Sequence, residues 1–213
     1  MSDVDLAVAA IRSGDPVVLP FDTVYGLVAN PSETAVRALY ALKGRKERRP
    51  TALVAADVEQ LVAELPELPD AALTLLPGPV TLVVPNSERR FPWLTGDNPG
   101  SIGVRVPVLH EPTAQIVRAA GVVVATSANH PGGPDPRRLD DVPADIRAGA
   151  GAVLDAGELP GTPSTVIDLT GTEPRILREG ALPAAEALRR LGAAVRSDDS
   201  CTATRPPDRP ADG

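Results

Sequence analysis

The sequence has few of the residues on which many well-known active sites depend. It contains one cysteine, Cys201, and two histidines, His110 and His130, among 213 residues. A single cysteine excludes an internal disulfide, and this set has no zinc-site spacing. Neither histidine has an acid and a nucleophile beside it in sequence, so no Ser-His-Asp triad is evident. Phosphate loops, dinucleotide-binding glycine turns and G-x-S-x-G elbows are also missing.

Aromatic side chains and long apolar segments are scarce as well. Aromatics make up 2% of the chain, so the core must be built from Val, Leu, Ile and Ala. The N-terminal segment carries acidic residues where a signal peptide needs basic ones, and no apolar run approaches about 18 residues. These features predict a cytoplasmic protein without a membrane partner. The net charge of −7 argues against general nucleic-acid binding.

The apolar pattern predicts one α/β domain over residues 1–192, followed by a disordered tail over 193–213 that is rich in Pro, Asp, Ser and Arg. Strands and helices alternate at first, whereas short strands follow one another near the end. Such a mixture favours a mixed β-sheet with helices on its faces. Helices are predicted after the capping residues Ser2 and Ser32 and over residues 57–65, 70–76, 111–120 and 182–191. Strands are predicted over residues 17–20, 51–55, 78–85, 101–107, 121–127, 152–157, 164–171 and 175–180.

A cluster of basic residues interrupts this acidic chain. Lys43, Arg45, Lys46, Arg48 and Arg49 lie within seven positions, directly before an apolar strand. A solvated loop would account for this run of charge, and so would a site for a polyanion.

Polar residues also follow two predicted strands, at the kind of edge where ligands bind in open α/β sheets. They are Asp22, Thr23 and Tyr25 after the first strand, and Thr126, Ser127 and Asn129 after the valines at 122–124. Their hydroxyl and amide groups could bind phosphate oxygens or cap turns. Arg105 stands within an apolar strand, where it needs either an anion such as a carboxylate or solvent at a sheet edge.

Together and in this order, the segments resemble the YrdC-like family, the threonylcarbamoyl-adenylate synthases. The family signature is Lys-x-Arg followed much later by Ser-x-Asn, here Lys43-Gly44-Arg45 and Ser127-Ala128-Asn129. The resemblance runs from about Val4 to Leu182. Its supporting segments are TVYGL at 23–27, PGPVTLVV at 77–84, VRVP at 104–107, STVIDL at 164–169 and ILREG at 176–180. The chain departs from the family pattern at Phe21 and Asp22, where Thr-Glu is common, and at Val54, where some members have His.

The resemblance implies a twisted mixed sheet around a concave basic pocket. It implies synthesis of threonylcarbamoyl-AMP and pyrophosphate from L-threonine, bicarbonate and ATP, for modification of a tRNA adenosine next to the anticodon. Residues at L-threonine would be Thr23, Arg105 and Ser164. Residues around ATP would be Lys43, Arg45, Arg49, Ser101, Ser127, Asn129 and Arg178. The catalytic group among them would be Lys43, Arg45, Ser127 and Asn129.

The same resemblance implies a set of partners. Mg²⁺ would accompany ATP through phosphate oxygens and water, with no metal ligands from the protein. The product would pass to a tRNA threonylcarbamoyl transferase complex, and direct tRNA binding would be weak or absent. Asp135 lies at a further nucleotide-contacting position of the family, but its side chain differs from the usual small hydroxyl, so it is not a candidate.

Two other functions are compatible with these residues. Related domains take part in carbamoyl transfer from carbamoyl phosphate during hydrogenase maturation, usually within long chains that carry acylphosphatase and zinc-finger segments. A basic concavity could also serve an RNA-binding or ribosome-maturation module. The net charge and the scarcity of aromatic residues for base stacking argue against that module.

Overall fold

The computed structural model describes residues 2–45 and 49–199, with residues 193–199 described as backbone only. Within these residues the chain forms seven α-helices and nine strands. The helices are α1 Asp3–Ser13, α2 Glu33–Lys43, α3 Val58–Glu64, α4 Asp70–Leu73, α5 Thr113–Ala120, α6 Ala144–Gly149 and α7 Ala184–Asp199. The strands are β1 Val17–Pro20, β2 Tyr25–Ala29, β3 Ala52–Val54, β4 Val80–Pro85, β5 Ser101–Arg105, β6 Val123–Ser127, β7 Ala152–Val153, β8 Thr165–Asp168 and β9 Arg175–Arg178.

The first two helices begin after the predicted capping residues. The Ser2 side chain accepts the N–H of Asp5, and the Asp5 carboxylate accepts the N–H of Ser2. The helix α1 ends at Gly14, which has φ 95°. Ser32 caps α2 in the same position, and Gly44 with φ 67° ends it. Because Gly44 stops the helix, Arg45 leaves the helix axis, and its side chain reaches Thr126 on β6.

The nine described strands form one sheet in the order β7-β1-β2-β6-β3-β5-β4-β8-β9. Neighbouring strands are antiparallel except for the pairs β1–β7, β3–β5 and β4–β8, which are parallel. This arrangement confirms the predicted fold class, a mixed α/β sheet. Among the described residues, no helix is long and apolar enough to cross a membrane.

The two faces of the sheet are covered unequally, and this difference creates the site. On one face, a large core that includes Leu82, Ile102 and Val104 packs beneath α2, α3 and α7. On the other face, α1 and α5 cover only the half formed by β1, β2 and β6. Successive side chains of β4, β5 and β8 point alternately to the two faces of the sheet. Every second side chain of these strands therefore points away from the large core, to a face that no described helix covers. That open half of the sheet forms the floor of a pocket.

Several predicted elements differ from those observed. The strand β2 and the helix α6 were not predicted. For β2 the reason is that residues 21–30 contain polar residues and a glycine that favour a loop. The hydrogen bonds of β2 to β1 and β6 override that local preference. The helix predicted over 70–76 ends at Leu73, since Pro77 and Gly78 lead into β4. The terminal helix runs to Asp199, so residues 193–199 of the predicted tail are helical. Residues 200–213 lie outside the described residues, and the domain boundary stays a prediction.

Candidate active site

A pocket of about 830 Å³ lies on the open half of the sheet. Its walls come from the loop after β1, the end of α2, the exit of β6 and the strands β3, β4, β5, β8 and β9. All ten candidate residues from the sequence line it, although they span more than 150 positions of the chain. They are Thr23, Lys43, Arg45, Arg49, Ser101, Arg105, Ser127, Asn129, Ser164 and Arg178.

Arg105, the last residue of β5, forms a buried ion pair at one end of the pocket. Its Nη2 atom donates to the carboxylate of Asp22 and, at 2.9 Å, to Oγ1 of Thr23. The two paired side chains are only 12% and 10% exposed. Burial lowers the pKa of Arg105, and the negative charge of Asp22 opposes that effect.

The Arg105 guanidinium is not fully used by these contacts. Its Nε atom is buried and has no hydrogen-bond partner among the described residues. Asp22 does not line the pocket, because it sits behind Arg105 and accepts the backbone N–H of Val108 at 3.2 Å. Asp22 and Thr23 therefore fix one side of the guanidinium, and the buried Nε donor stays unsatisfied among the described residues.

Hydroxyl groups gather beside Arg105. Ser164, which is buried, shares a hydrogen bond of 2.8 Å with Oγ1 of Thr81. Arg178 on β9 donates from Nη2 to the carbonyl oxygen of Ser164 at 2.7 Å, so it braces the entry to β8. With Thr23, these groups form a small polar compartment that contains two guanidiniums, of Arg105 and Arg178, and several hydroxyls. The compartment suits a ligand with a carboxylate and a hydroxyl.

Arg45 and Arg49 provide positive charge at another part of the pocket. The Arg45 guanidinium donates to Oγ1 of Thr126 at 2.8 Å and to the carbonyl oxygen of Pro50 at 2.6 Å. Its Nε atom is also buried without a partner among the described residues. Burial lowers the pKa of Arg45, and the like charge of Arg49 adds to the effect. A polyanion would relieve this concentration of charge.

Lys43 differs from Arg45 in that all of its donors have acceptors within the protein. It is buried at the end of α2, and its ammonium donates to three oxygens of the loop after β6, the carbonyls of Ser127 and Asn129 and the side-chain amide of Asn129. In this geometry no ammonium proton is left for the phosphate contact that the resemblance implied.

The chain is similar in sequence to proteins of a known family. The family model Sua5_yciO_yrdC, described as "Telomere recombination", matches residues 9–180. The chain belongs to this Sua5/YrdC family. A threonylcarbamoyl-AMP synthase of Pyrococcus abyssi is 37% identical over 88% of this chain and 56% of the relative. A threonylcarbamoyl-AMP synthase of Sodalis glossinidius is also 37% identical, over 84% of this chain and 96% of the relative. The chain thus spans about half the length of the first relative and nearly all of the second.

Solved structures of the Sua5/YrdC family have the same fold. The structure of P. abyssi Sua5 complexed with L-threonine is 36% identical, with a TM-score of 0.80 over 90% of this chain and 58% of that chain. E. coli YciO has a TM-score of 0.71 over 87% of this chain and 92% of that chain. Because E. coli YciO is only 23% identical to this chain, it supports the fold and no statement about function.

Sequence reasoning did not single out every polar group in this Sua5/YrdC pocket. Thr81, Asp97 and Asp168 also line it, and so does Asp135, which the resemblance placed at a nucleotide-contacting position but which was not a candidate. Thr81 and Asp168 had a signal, because each is a polar residue on the alternate face of an apolar strand. Asp97 lies in a loop and had none. Of the basic cluster, Lys46 lies outside the described residues, as does Arg48. Among the residues described, no group of three or more His, Cys, Asp or Glu could hold a metal ion.

Proposed function

We propose that the protein is a threonylcarbamoyl-AMP synthase, which makes threonylcarbamoyl-AMP and pyrophosphate from L-threonine, bicarbonate and ATP. The observation that carries the proposal is the convergence of Arg45, Arg49, Arg105 and Arg178 on one pocket beside a hydroxyl compartment. The names of the relatives and the threonine complex of P. abyssi Sua5 support it.

The compartment around Arg105 is proposed to hold L-threonine. The Arg105 guanidinium would receive the carboxylate, and the hydroxyls of Thr23 and Ser164 would reach the threonine side chain. A buried guanidinium binds a carboxylate strongly, because water competes poorly there. The amine of threonine would then face the centre of the pocket.

The other arginines are proposed to bind ATP. Arg45, Arg49 and Arg178 would offset the charge of the triphosphate, and Ser101 with the loop at Ser127 and Asn129 would contact the nucleotide. Asp97, Asp135 and Asp168 are too few in any one place to form a metal cage. Mg²⁺ would therefore be bound through phosphate oxygens and water.

The proposed chemistry needs no nucleophilic side chain. The amine of threonine attacks the carbon of bicarbonate, which loses water, or of carbon dioxide, with loss of an amine proton, and a carbamate forms. An oxygen of the carbamate then attacks the α-phosphate of ATP, and the bond to the β-phosphate breaks to release pyrophosphate. The pocket contributes by holding three reactants together and by stabilising charge on the phosphates. Carbamates decompose in water, so a walled site protects the intermediate. The product would serve tRNA modification in the cytoplasm through a separate transferase complex.

The test is pyrophosphate release by the full chain, with threonine, bicarbonate or ATP omitted in turn. Release should require all three, and mass spectrometry should detect threonylcarbamoyl-AMP. Arg178→Ala should raise the KM for ATP, because a charge-assisted contact contributes about 1.5–3 kcal/mol. Arg175→Ala is the matched control, since Arg175 lies on the same strand but does not line the pocket. Release that is independent of threonine would contradict the proposal.

A further inference from the structure

Lys43 reaches the site from the last turn of α2 rather than from a loop. Its side chain is 4% exposed and crosses to the exit of β6, more than 80 residues further along the chain. There the Nζ atom lies 2.5 Å from the carbonyl oxygen of Ser127, 2.7 Å from the carbonyl oxygen of Asn129 and 2.8 Å from Oδ1 of Asn129. An ammonium has three N–H donors, and three oxygens accept them.

These contacts belong to a larger network within the loop 127–134. Oδ1 of Asn129 also accepts the hydroxyl of Ser127 at 2.7 Å. The amide nitrogen of Asn129 donates to the carbonyl oxygens of Gly133 and Pro134 at 2.8 and 3.0 Å. Both amide hydrogens of Asn129 are therefore used within the loop, and the amide oxygen receives two donors. Among the described residues of this network, Lys43 is the one that comes from a helix, α2.

The contrast with Arg45, two residues further on, is informative. Arg45 lines the pocket and keeps a buried Nε donor without a partner among the described residues, so its donors are not all engaged. Lys43 has none left. Moving its ammonium to a phosphate would strip donors from three loop oxygens, two of them backbone carbonyls, and buried acceptors without donors are costly.

We propose that Lys43 is a positioning residue, which acts through the loop 127–134 and does not itself contact the phosphates. Its ammonium pins the two backbone carbonyls and the Asn129 amide, and this fixes the wall of the pocket formed by Ser127, Asn129 and residues 130–132. The nature of the ligand on that wall rests on the proposed function. The role of Lys43 in the ligand-free loop does not.

Hydrogen exchange of the ligand-free full chain tests this role. Lys43→Met keeps the apolar stem and removes all three donors. Backbone amides of residues 127–134 should then exchange at least about tenfold faster by mass spectrometry, because the loop loses charge-assisted hydrogen bonds. Arg37→Met is the control, since Arg37 is an exposed cation on the same helix, and it should leave the exchange of this loop unchanged. Wild-type exchange of the loop in Lys43→Met would overturn the proposal.

A second variant separates charge from geometry. Lys43→Arg keeps the positive charge, but a planar guanidinium cannot direct three donors to the same three oxygens. Loop exchange should be as fast as in Lys43→Met, and kcat for pyrophosphate release should be below that of wild type in both variants. Rescue of both by arginine would show that charge alone suffices and would refute the positioning role.

Two further measurements keep the outcome decisive. If Lys43→Met does not fold, Lys43→Gln keeps a polar side chain on a shorter stem without the three ammonium donors, and it should still accelerate exchange of the same loop. If wild-type protein shows no threonine-dependent pyrophosphate release, the proposed function fails, whereas the exchange measurement still decides the role of Lys43.

Discussion

The buried pair between Arg105 and Asp22 makes the sharpest stability prediction. Its side chains are 12% and 10% exposed, so neither charge can be solvated if its partner is removed. Arg105→Met leaves Asp22 as a buried carboxylate that keeps only the N–H of Val108 as a donor. Removing one partner of such a pair costs about 3–5 kcal/mol, which corresponds to a fall in Tm of about 6–20 °C for a chain of this size.

Urea unfolding monitored by circular dichroism measures this loss. The surface pair between Arg118 and Glu111 is a control with the same chemistry, because its side chains are 57% and 63% exposed. Arg118→Met should therefore cost less than about 1 kcal/mol. The two arginine variants differ mainly in burial, so the difference in their free energies of unfolding isolates desolvation.

A double variant decides whether the unpaired charge is the cause. Asp22→Asn combined with Arg105→Met removes both charges and keeps an oxygen for the N–H of Val108. If the cost of Arg105→Met comes from the stranded carboxylate, the double variant should recover at least about half of the lost stability. A double variant no more stable than Arg105→Met would refute this reasoning and would assign the loss to packing against Phe21, whose ring lies 5.6 Å from the guanidinium.

The remaining predictions concern selectivity, pH, a buried hydroxyl and the tail. In pyrophosphate-release assays serine should keep weak activity and valine almost none, because a site that binds a hydroxyl rejects an analogue without it; equal rates would contradict the threonine site. Burial lowers the pKa of Lys43 to about 8 from its ordinary value of 10.5; the charge of Arg45 lowers this pKa further, and that of Asp135 raises it. Between those pH values the unfolded chain binds a proton that the folded chain has lost, so wild type should gain stability relative to Lys43→Met as pH rises in urea titrations. Tyr25→Phe should cost about 1–3 kcal/mol in the same assay, because the hydroxyl that Tyr25 donates to Asp155 also accepts the N–H of Ala156. Deletion of residues 200–213 should leave the Tm unchanged by calorimetry, because that segment has few apolar side chains to bury.

Much of the fold was predictable because its signals are local. Ser2 and Ser32 cap helices through side chains three residues away from their partners, and Gly14 and Gly44 end helices through their own backbone angles. The strand β2 was not predictable in this way. All five of its residues are buried, and their hydrogen bonds go to β1 and to β6, which lies about 100 residues away.

The same difference between local and long-range signals applies to the candidate site. The residues that line the pocket were found through the order and spacing of motifs, which a family resemblance carries over position by position. Their partners were not found, since no pattern near Asp22 indicates that its carboxylate meets Arg105 from 83 positions away. The resemblance thus identifies members of the pocket, and the hydrogen bonds identify what each member can do.

The basic cluster at residues 43–49 illustrates the difference most directly. In the sequence, Lys43 and Arg45 are equivalent cations of one motif, and both were expected to bind phosphate. Gly44 between them ends the helix, so Lys43 stays packed under the exit of β6 while Arg45 turns into the pocket. One backbone turn therefore separates a cation whose donors are all engaged from a cation with a donor to spare. Composition and spacing detect the cluster, whereas the path of the backbone through Gly44 gives its two signature residues different contacts.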